Sequence, residues 1–300
     1  MKILIATVQV PFVRGGAEIL AENLLAALRA ERHEAEVVAV PFKWYPPERI
    51  LDAILACRLL DLTESSGNRV DRVIGLKFPA YLIPHPNKVL WLLHQHRTAY
   101  DLWDDPLCDL VHFPNGARVR EAIARADRQL IPEASAVYTI ARNVSNRLRT
   151  YTGVESTPLY HPPNHPEQFH CAPAEPYLFF PSRLSRTKRQ ALVLRALALT
   201  KAAVRVRFAG APDNPGDLEG LQDLAKQLKV ARRVEFLGRV TEEQKRDLYA
   251  RCQGVVFTPL DEDYGYVTLE AMLSSKPVVT CTDSGGPLEF VGHETTGLAV

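Results

Sequence analysis

The sequence predicts an α/β protein made of two doubly wound units. Short β-rich apolar runs alternate with helical patterns almost throughout the 300 residues, as parallel sheets with crossover helices require. A proline-rich break interrupts that alternation near residues 161–176, and the pattern then resumes. Glycine-bearing turns recur directly after strand-like runs.

In the first half the predicted strands are Lys2–Val8, Ala35–Pro41, Arg72–Lys77, Lys88–Leu93 and Ala136–Ile140. The clearest helix is Ala17–Ala30, apolar at Leu20, Leu24, Leu25 and Leu28 on one face. A second, Arg118–Leu130, is basic and expected to be half exposed. The second half offers strands Tyr177–Pro181, Val204–Ala209, Arg233–Leu237, Gly254–Pro259 and Pro277–Cys281. Its helices are Lys188–Thr200, Gly216–Leu228, Thr241–Arg251 and Tyr266–Ser274. Thr241 followed by Gln244 is a capping-box pattern. In the break, Pro162, Pro163, Pro166, Pro173 and Pro176 exclude regular helix or central strand, because proline lacks an amide donor. It is the expected linker between domains 1–165 and 166–300. Two such domains are expected to face each other across a cleft, with ligands beyond the carboxyl ends of the strands. Thr296–Val300 reads as a strand or its approach without a closing helix, so the second domain is expected to be incomplete.

Composition narrows the function. Thirty-six Lys and Arg nearly cancel thirty-five Asp and Glu, which disfavours a general nucleic-acid binder. No run of 18 apolar residues or signal-peptide pattern is present. The five cysteines are scattered without metal-site spacing, so a reducing cytoplasm is the expected compartment.

Glu262 and Glu270 lie eight residues apart in Glu262-Asp263-Tyr264-Gly265-Tyr266-Val267-Thr268-Leu269-Glu270. The first falls in a loop and the second about one turn inside a helix. An exposed backbone at Gly265 would offer helix amides and dipole to a phosphate, while the carboxylates accept from sugar hydroxyls. Acidic residues near a helix start also simply complement its dipole. Arg183 and Lys188 follow the first strand of the second half, a placement that suits a diphosphate. Their neighbours Arg186 and Arg189 are expected to be a solvated basic helix start. Gly15 and Gly16 follow the first strand and allow a tight turn and close ligand approach, with Glu18 as a dipole partner. The dinucleotide fingerprint G-x-G-x-x-G is absent. His94 and His96 follow Lys88–Leu93; no third metal ligand is evident near this pair. Gly238-Arg239-Val240 follows another strand, and Gly285-Gly286 suggests a further backbone approach to a ligand.

The stretch from Glu262 to Val279 resembles the glutamate-x7-glutamate signature of the retaining GT-B glycosyltransferases, glycosyltransferase family 4 or group 1. The resemblance runs from Gly15 to Gly297, strong in the second half and generic in the first. It implies a hexosyltransferase that moves a sugar from a nucleotide diphosphate sugar to a glycan or lipid-linked acceptor, with retention. It implies that Arg183 and Lys188 bind the donor diphosphate, Glu262 the sugar hydroxyls and Glu270 the ribose. Gly15, Gly16, Tyr264, Gly265, Tyr266 and Val267 line the donor, and Arg239 and Val240 flank the base. An active-site histidine ends the fourth strand; His94 fits that register, and His96 competes. Ser182 and Ser275 stand where relatives carry glycine. No metal or cofactor is needed when fixed cations and amides neutralise the diphosphate, and same-face attack is guided by the leaving phosphate. The alternatives are a nucleotide-sugar epimerase and a non-catalytic nucleotide-sugar-binding subunit. The base, sugar and acceptor stay open. Peripheral membrane contact through the basic helix Arg118–Arg128 is weighed against a solvated face.

Overall fold

The structure, a computed structural model, describes residues 1–12, 15–106 and 108–300. The chain divides into two compact units, Met1–His161 and Pro162–Val300.

Unit 1 holds a six-stranded parallel sheet in the order β2-β1-β5-β6-β7-β8. Its strands are β1 (Lys2–Gln9), β2 (Glu34–Pro41), β5 (Arg72–Gly75), β6 (Lys88–Leu92), β7 (Ala136–Thr139) and β8 (Thr157–Pro158). Two-residue strands β3 (Glu64–Ser65) and β4 (Asn68–Arg69) make a separate antiparallel hairpin. Helices α1 (Gly16–Ala30), α2 (Glu48–Leu59), α3 (Gly116–Leu130) and α4 (Arg142–Thr152) complete the unit. Ile5, Ala6 and Val8 on β1 and Leu90 and Leu92 on β6 are buried, as strands covered on both faces must be. Two helices go beyond the sequence expectation. α2 occupies Glu48–Leu59, for which no element was assigned from sequence, and buries Ile50 and Cys57. α4 is too polar to show an apolar run; Val144 and Leu148 are buried and Tyr151 packs partly on the core, and Gly153 in the left-handed region ends it.

Unit 2 repeats the architecture in the order β11-β10-β9-β12-β13-β14, again parallel. The strands are β9 (Leu178–Pro181), β10 (Val206–Ala209), β11 (Val234–Phe236), β12 (Gly254–Val256), β13 (Val278–Thr280) and β14 (Gly297–Ala299). The helices are α5 (Gln190–Leu199), α6 (Asp217–Gln227), α7 (Glu242–Arg251) and α8 (Tyr266–Leu273). Phe179, Phe180, Phe208, Tyr249 and Phe257 fill its core. Thr241 caps α7 by accepting from the Gln244 amide, while the Gln244 side chain accepts from the Thr241 amide.

The strand orders locate the crevices. Chain direction across the sheet reverses between β1 and β5 in unit 1 and between β9 and β12 in unit 2. Ligands of open α/β sheets bind beyond the strand carboxyl ends at such switch points. The loops after β9 and β12 carry Arg183, Lys188 and Glu262.

Candidate donor site in unit 2

Three loops meet at the carboxyl edge of the unit 2 sheet. The loop after β9 runs from Ser182 through a short 3-10 turn, Arg186–Lys188, into α5. Gln190, almost fully buried, braces it by donating to the Arg183 carbonyl at 2.8 Å. The Leu260 amide donates to the Thr187 carbonyl, tying this loop to the one after β12. The loop after β13 joins both: the Asp261 amide donates to the Asp283 carbonyl and the Glu262 amide to the Ser284 carbonyl.

This knitting puts Lys188 against Glu262, although 74 residues separate them. The Lys188 ammonium donates to Glu262 Oε2, and the same ammonium lies 5.6 Å from the centre of the Phe257 ring. The phosphate end and the sugar end of the expected donor site are therefore adjacent. Arg183 is different: it pairs with Asp213 at 2.7 Å, and its side chain is 68% exposed. Glu270 is buried and accepts from Lys245 Nζ at 2.9 Å and from the Tyr249 hydroxyl at 2.8 Å. It is not a first-turn dipole partner, because it is the fifth residue of α8. Each oxygen of a carboxylate has two lone pairs, so these two donors leave acceptor capacity.

Several expectations are corrected here. Gly265 is buried rather than exposed; a Cβ there would meet Pro287 Cγ at 2.9 Å and Phe257 Cε1 at 3.4 Å. Its φ of +86° suits glycine. Gly286 approaches protein backbone: a Cβ would lie 2.7 Å from the Asp263 and Tyr264 carbonyl oxygens. Arg189 is not solvated. Its guanidinium donates to the Thr258 and Pro259 carbonyls and forks onto Asp283, whose carboxyl it holds below the usual range. Tyr264 is buried beside the rings of Tyr266 and Phe290, each 5.4 Å away by ring centres. Val267 is half-buried on the core side of α8. Arg239 is exposed and Val240 packs on the core after Gly238, whose φ is +67°. Ser275 holds a left-handed φ of +57°, the conformation in which a residue with a β-carbon costs about 1–2 kcal/mol.

In unit 1, Gly15 has extended backbone, so no tight turn demands a glycine there. Its amide donates to Glu18 Oε2 at 2.7 Å, and Glu18 also lies 3.9 Å from Lys77 Nζ. Gly16 begins α1 and is exposed. His94 is half-buried after β6, and its Nδ1 donates to the Gln95 carbonyl at 2.6 Å. His96 packs beside Phe78 and edge-on to Phe42, and burial pushes its pKa down to about 4. Gln95 between them donates to Asp127 at 2.9 Å. Asp127, fully buried on α3, also accepts from the hydroxyls of Tyr81 and Tyr100; burial pushes its pKa up to about 6. The basic helix therefore buries an acid in its core-facing stripe, a position the sequence reading passed over.

Residues 163–300 match the family model described as Glycosyl transferases group 1. The match spans 138 of the 300 residues, all of them in unit 2. One curated relative of the chain is the alpha-1,3/1,6-mannosyltransferase ALG2 of Dictyostelium discoideum, 40% identical over 88 residues. That match covers 29% of this chain and 21% of the relative. Another is the D-inositol 3-phosphate glycosyltransferase of Mycobacteroides abscessus, 34% identical over 128 residues, covering 42% and 28%. The matches thus span less than a third of either relative. The crystal structure of Anabaena Alr3699/HepE in complex with UDP and glucose superposes with a TM-score of 0.68 at 18% identity. It covers 100% of this chain and 86% of that one, so the chain has the GT-B fold. Among the described residues, no helix is long and apolar enough to cross a membrane, and no cluster of three or more His, Cys, Asp or Glu is placed to hold a metal ion.

Proposed function

We propose that the protein transfers a hexose from a nucleoside diphosphate sugar to a hydroxyl acceptor, with retention of configuration. The observation that carries this reading is the Lys188–Glu262 pair at the switch point of unit 2. Such a pair can exchange partners with a donor. The ammonium moves to the diphosphate, and the freed carboxylate accepts from sugar hydroxyls. Arg183, exposed on the same loop after β9, adds a planar fork for the second phosphate. As the sugar–phosphate bond breaks, negative charge grows on the leaving diphosphate. Lys188 and Arg183 stabilise that charge where it develops, which accelerates the step rather than merely tightening binding. Retention then follows from attack on the face the leaving phosphate vacates, the phosphate oxygen taking the acceptor proton.

Glu270, held from behind by Lys245 and Tyr249, is assigned to the ribose hydroxyls, and Arg239 and Val240 flank the base. His94 is assigned to the sugar ring; His96, clamped between aromatic rings and neutral, serves as packing. Fixed cations supply the charge, so no metal is required in this scheme. A glycan or lipid-linked alcohol is the proposed acceptor, and the cytoplasm the proposed compartment. The mannosyltransferase and inositol-phosphate relatives support the hexosyl class and leave the sugar open between them.

The experiment is release of nucleoside diphosphate from a panel of UDP-, GDP- and ADP-sugars, with and without acceptor alcohols. Acceptor-dependent release with one donor supports transfer, and a product of retained anomeric configuration supports the stereochemistry. Binding without release points to a non-catalytic subunit, and an epimerised donor to an epimerase.

A further inference from the structure

Arg189 directly follows Lys188 and adopts φ 58° and ψ 40°, the left-handed region that glycine enters without steric cost. A residue with a long side chain persists in that conformation when the surroundings over-determine it. Here they do. Nε donates to the Thr258 carbonyl at 2.7 Å and Nη2 to the Pro259 carbonyl at 2.7 Å. Nη1 and Nη2 donate to the two oxygens of Asp283 at 2.7 and 2.6 Å. Four of the five guanidinium N–H donors are thus committed to protein acceptors. The side chain is only 21% exposed, against 68% for Arg183.

We propose that Arg189 is the positioning residue of the donor grip, a clamp that holds the loops after β9, β12 and β13 together so that Lys188 and Glu262 meet. This rests on the donor-site reading above. Its donors face inward, so it does not itself take the diphosphate. It acts through its neighbours. Its backbone fixes the exit of Lys188, its fork fixes Asp283, and Asp283 and Ser284 receive the amides of Asp261 and Glu262. A one-centred cation cannot reach two carbonyls and a bidentate carboxylate at once, so lysine is not an equivalent.

The test uses Arg189→Gly, which suits the left-handed backbone and removes only the clamp. Titration calorimetry with UDP, GDP and ADP reads the affinity, and a thermal melt reads folding. The expected result is a Kd for the preferred nucleoside diphosphate raised at least tenfold, with a cooperative melt retained. Arg189→Lys should stay within threefold of the glycine variant. Asp283→Asn should weaken binding in the wild-type background and cost nothing further in the Arg189→Gly background. Wild-type affinity in Arg189→Gly, while Lys188→Ala loses binding, overturns the clamp and leaves the donor site standing. Full additivity of the two losses overturns the coupling. If wild-type protein binds none of the three nucleotides, the donor-site reading falls and the clamp with it.

Discussion

In unit 2 the loops at the carboxyl edge of the sheet are tied by charge: Lys188 to Glu262 and Arg189 to Asp283. In unit 1 the loop after β6 is tied by burial. Gln95 reaches Asp127 beneath it, Tyr81 and Tyr100 satisfy the same carboxylate, and His96 is wedged between aromatic rings. The two solutions suit different work. A partly exposed ion pair such as Lys188–Glu262 can open and exchange its partners, while Arg189–Asp283 holds the loops around it. A buried network cannot exchange partners cheaply, so it preserves a loop's shape. In the proposed scheme the Lys188–Glu262 pair of unit 2 rearranges around a donor, whereas the buried network of unit 1 keeps the loop after β6 in place.

The largest expected effect lies on the charge side. Glu262→Ala should lower transfer by about 10²–10³-fold, the usual range for removing one preorganised stabilising group, with the melt unchanged. Full activity in a kinetic assay would break the pairing of Lys188 with catalysis. On the burial side, Asp127→Ala strands three donors. It should destabilise unit 1 by about 3 kcal/mol, read as a drop in the urea midpoint. A neutral outcome would mean that water replaces the carboxylate. The histidine sharpens the contrast through pH. The pKa of His96 falls from 6.5 unfolded to about 4 folded, so the unfolded chain binds the extra proton first. Its contribution is intact above pH 6.5 and is lost as pH falls towards 4. His96→Phe should gain on wild type over that window by up to about 3 kcal/mol, measured by urea unfolding at pH 7 and pH 4.5. Asp127 runs the other way: its raised pKa makes the folded state take a proton first, so its penalty is relieved as pH falls from about 6 towards 3.8. The smallest effect is Thr241→Ala, which removes the cap of α7 and should cost about 1 kcal/mol in a thermal melt.

The legibility of the two units differs for the same reason. Parallel strands buried on both faces are short runs of apolar residues, so β1, β6, β9 and β10 were readable within two residues. Helix α4 was not, because its two buried leucine and valine positions sit in an otherwise polar segment and only packing reveals them. Arg183, Lys188 and Glu262 were readable as residues because each follows a strand. Their grouping depends on strand order, which places β9 beside β12 and so brings together Lys188 and Glu262, 74 positions apart in sequence. Arg189 was misread as solvated because its partners, Thr258, Pro259 and Asp283, lie about 70 to 94 residues away.

By itself the sequence determined the alternation of strand and helix, the proline break, and the charged residues that end particular strands. Those are local facts, set by periodicity and by backbone chemistry. Only the tertiary structure decided which ends became neighbours. It set Gly265 and Gly286 close against protein groups, paired Lys188 with Glu262, and turned Arg189 inward. The physical reason is that a charge acquires its role from the group it meets, and the strand order of a parallel sheet decides that meeting.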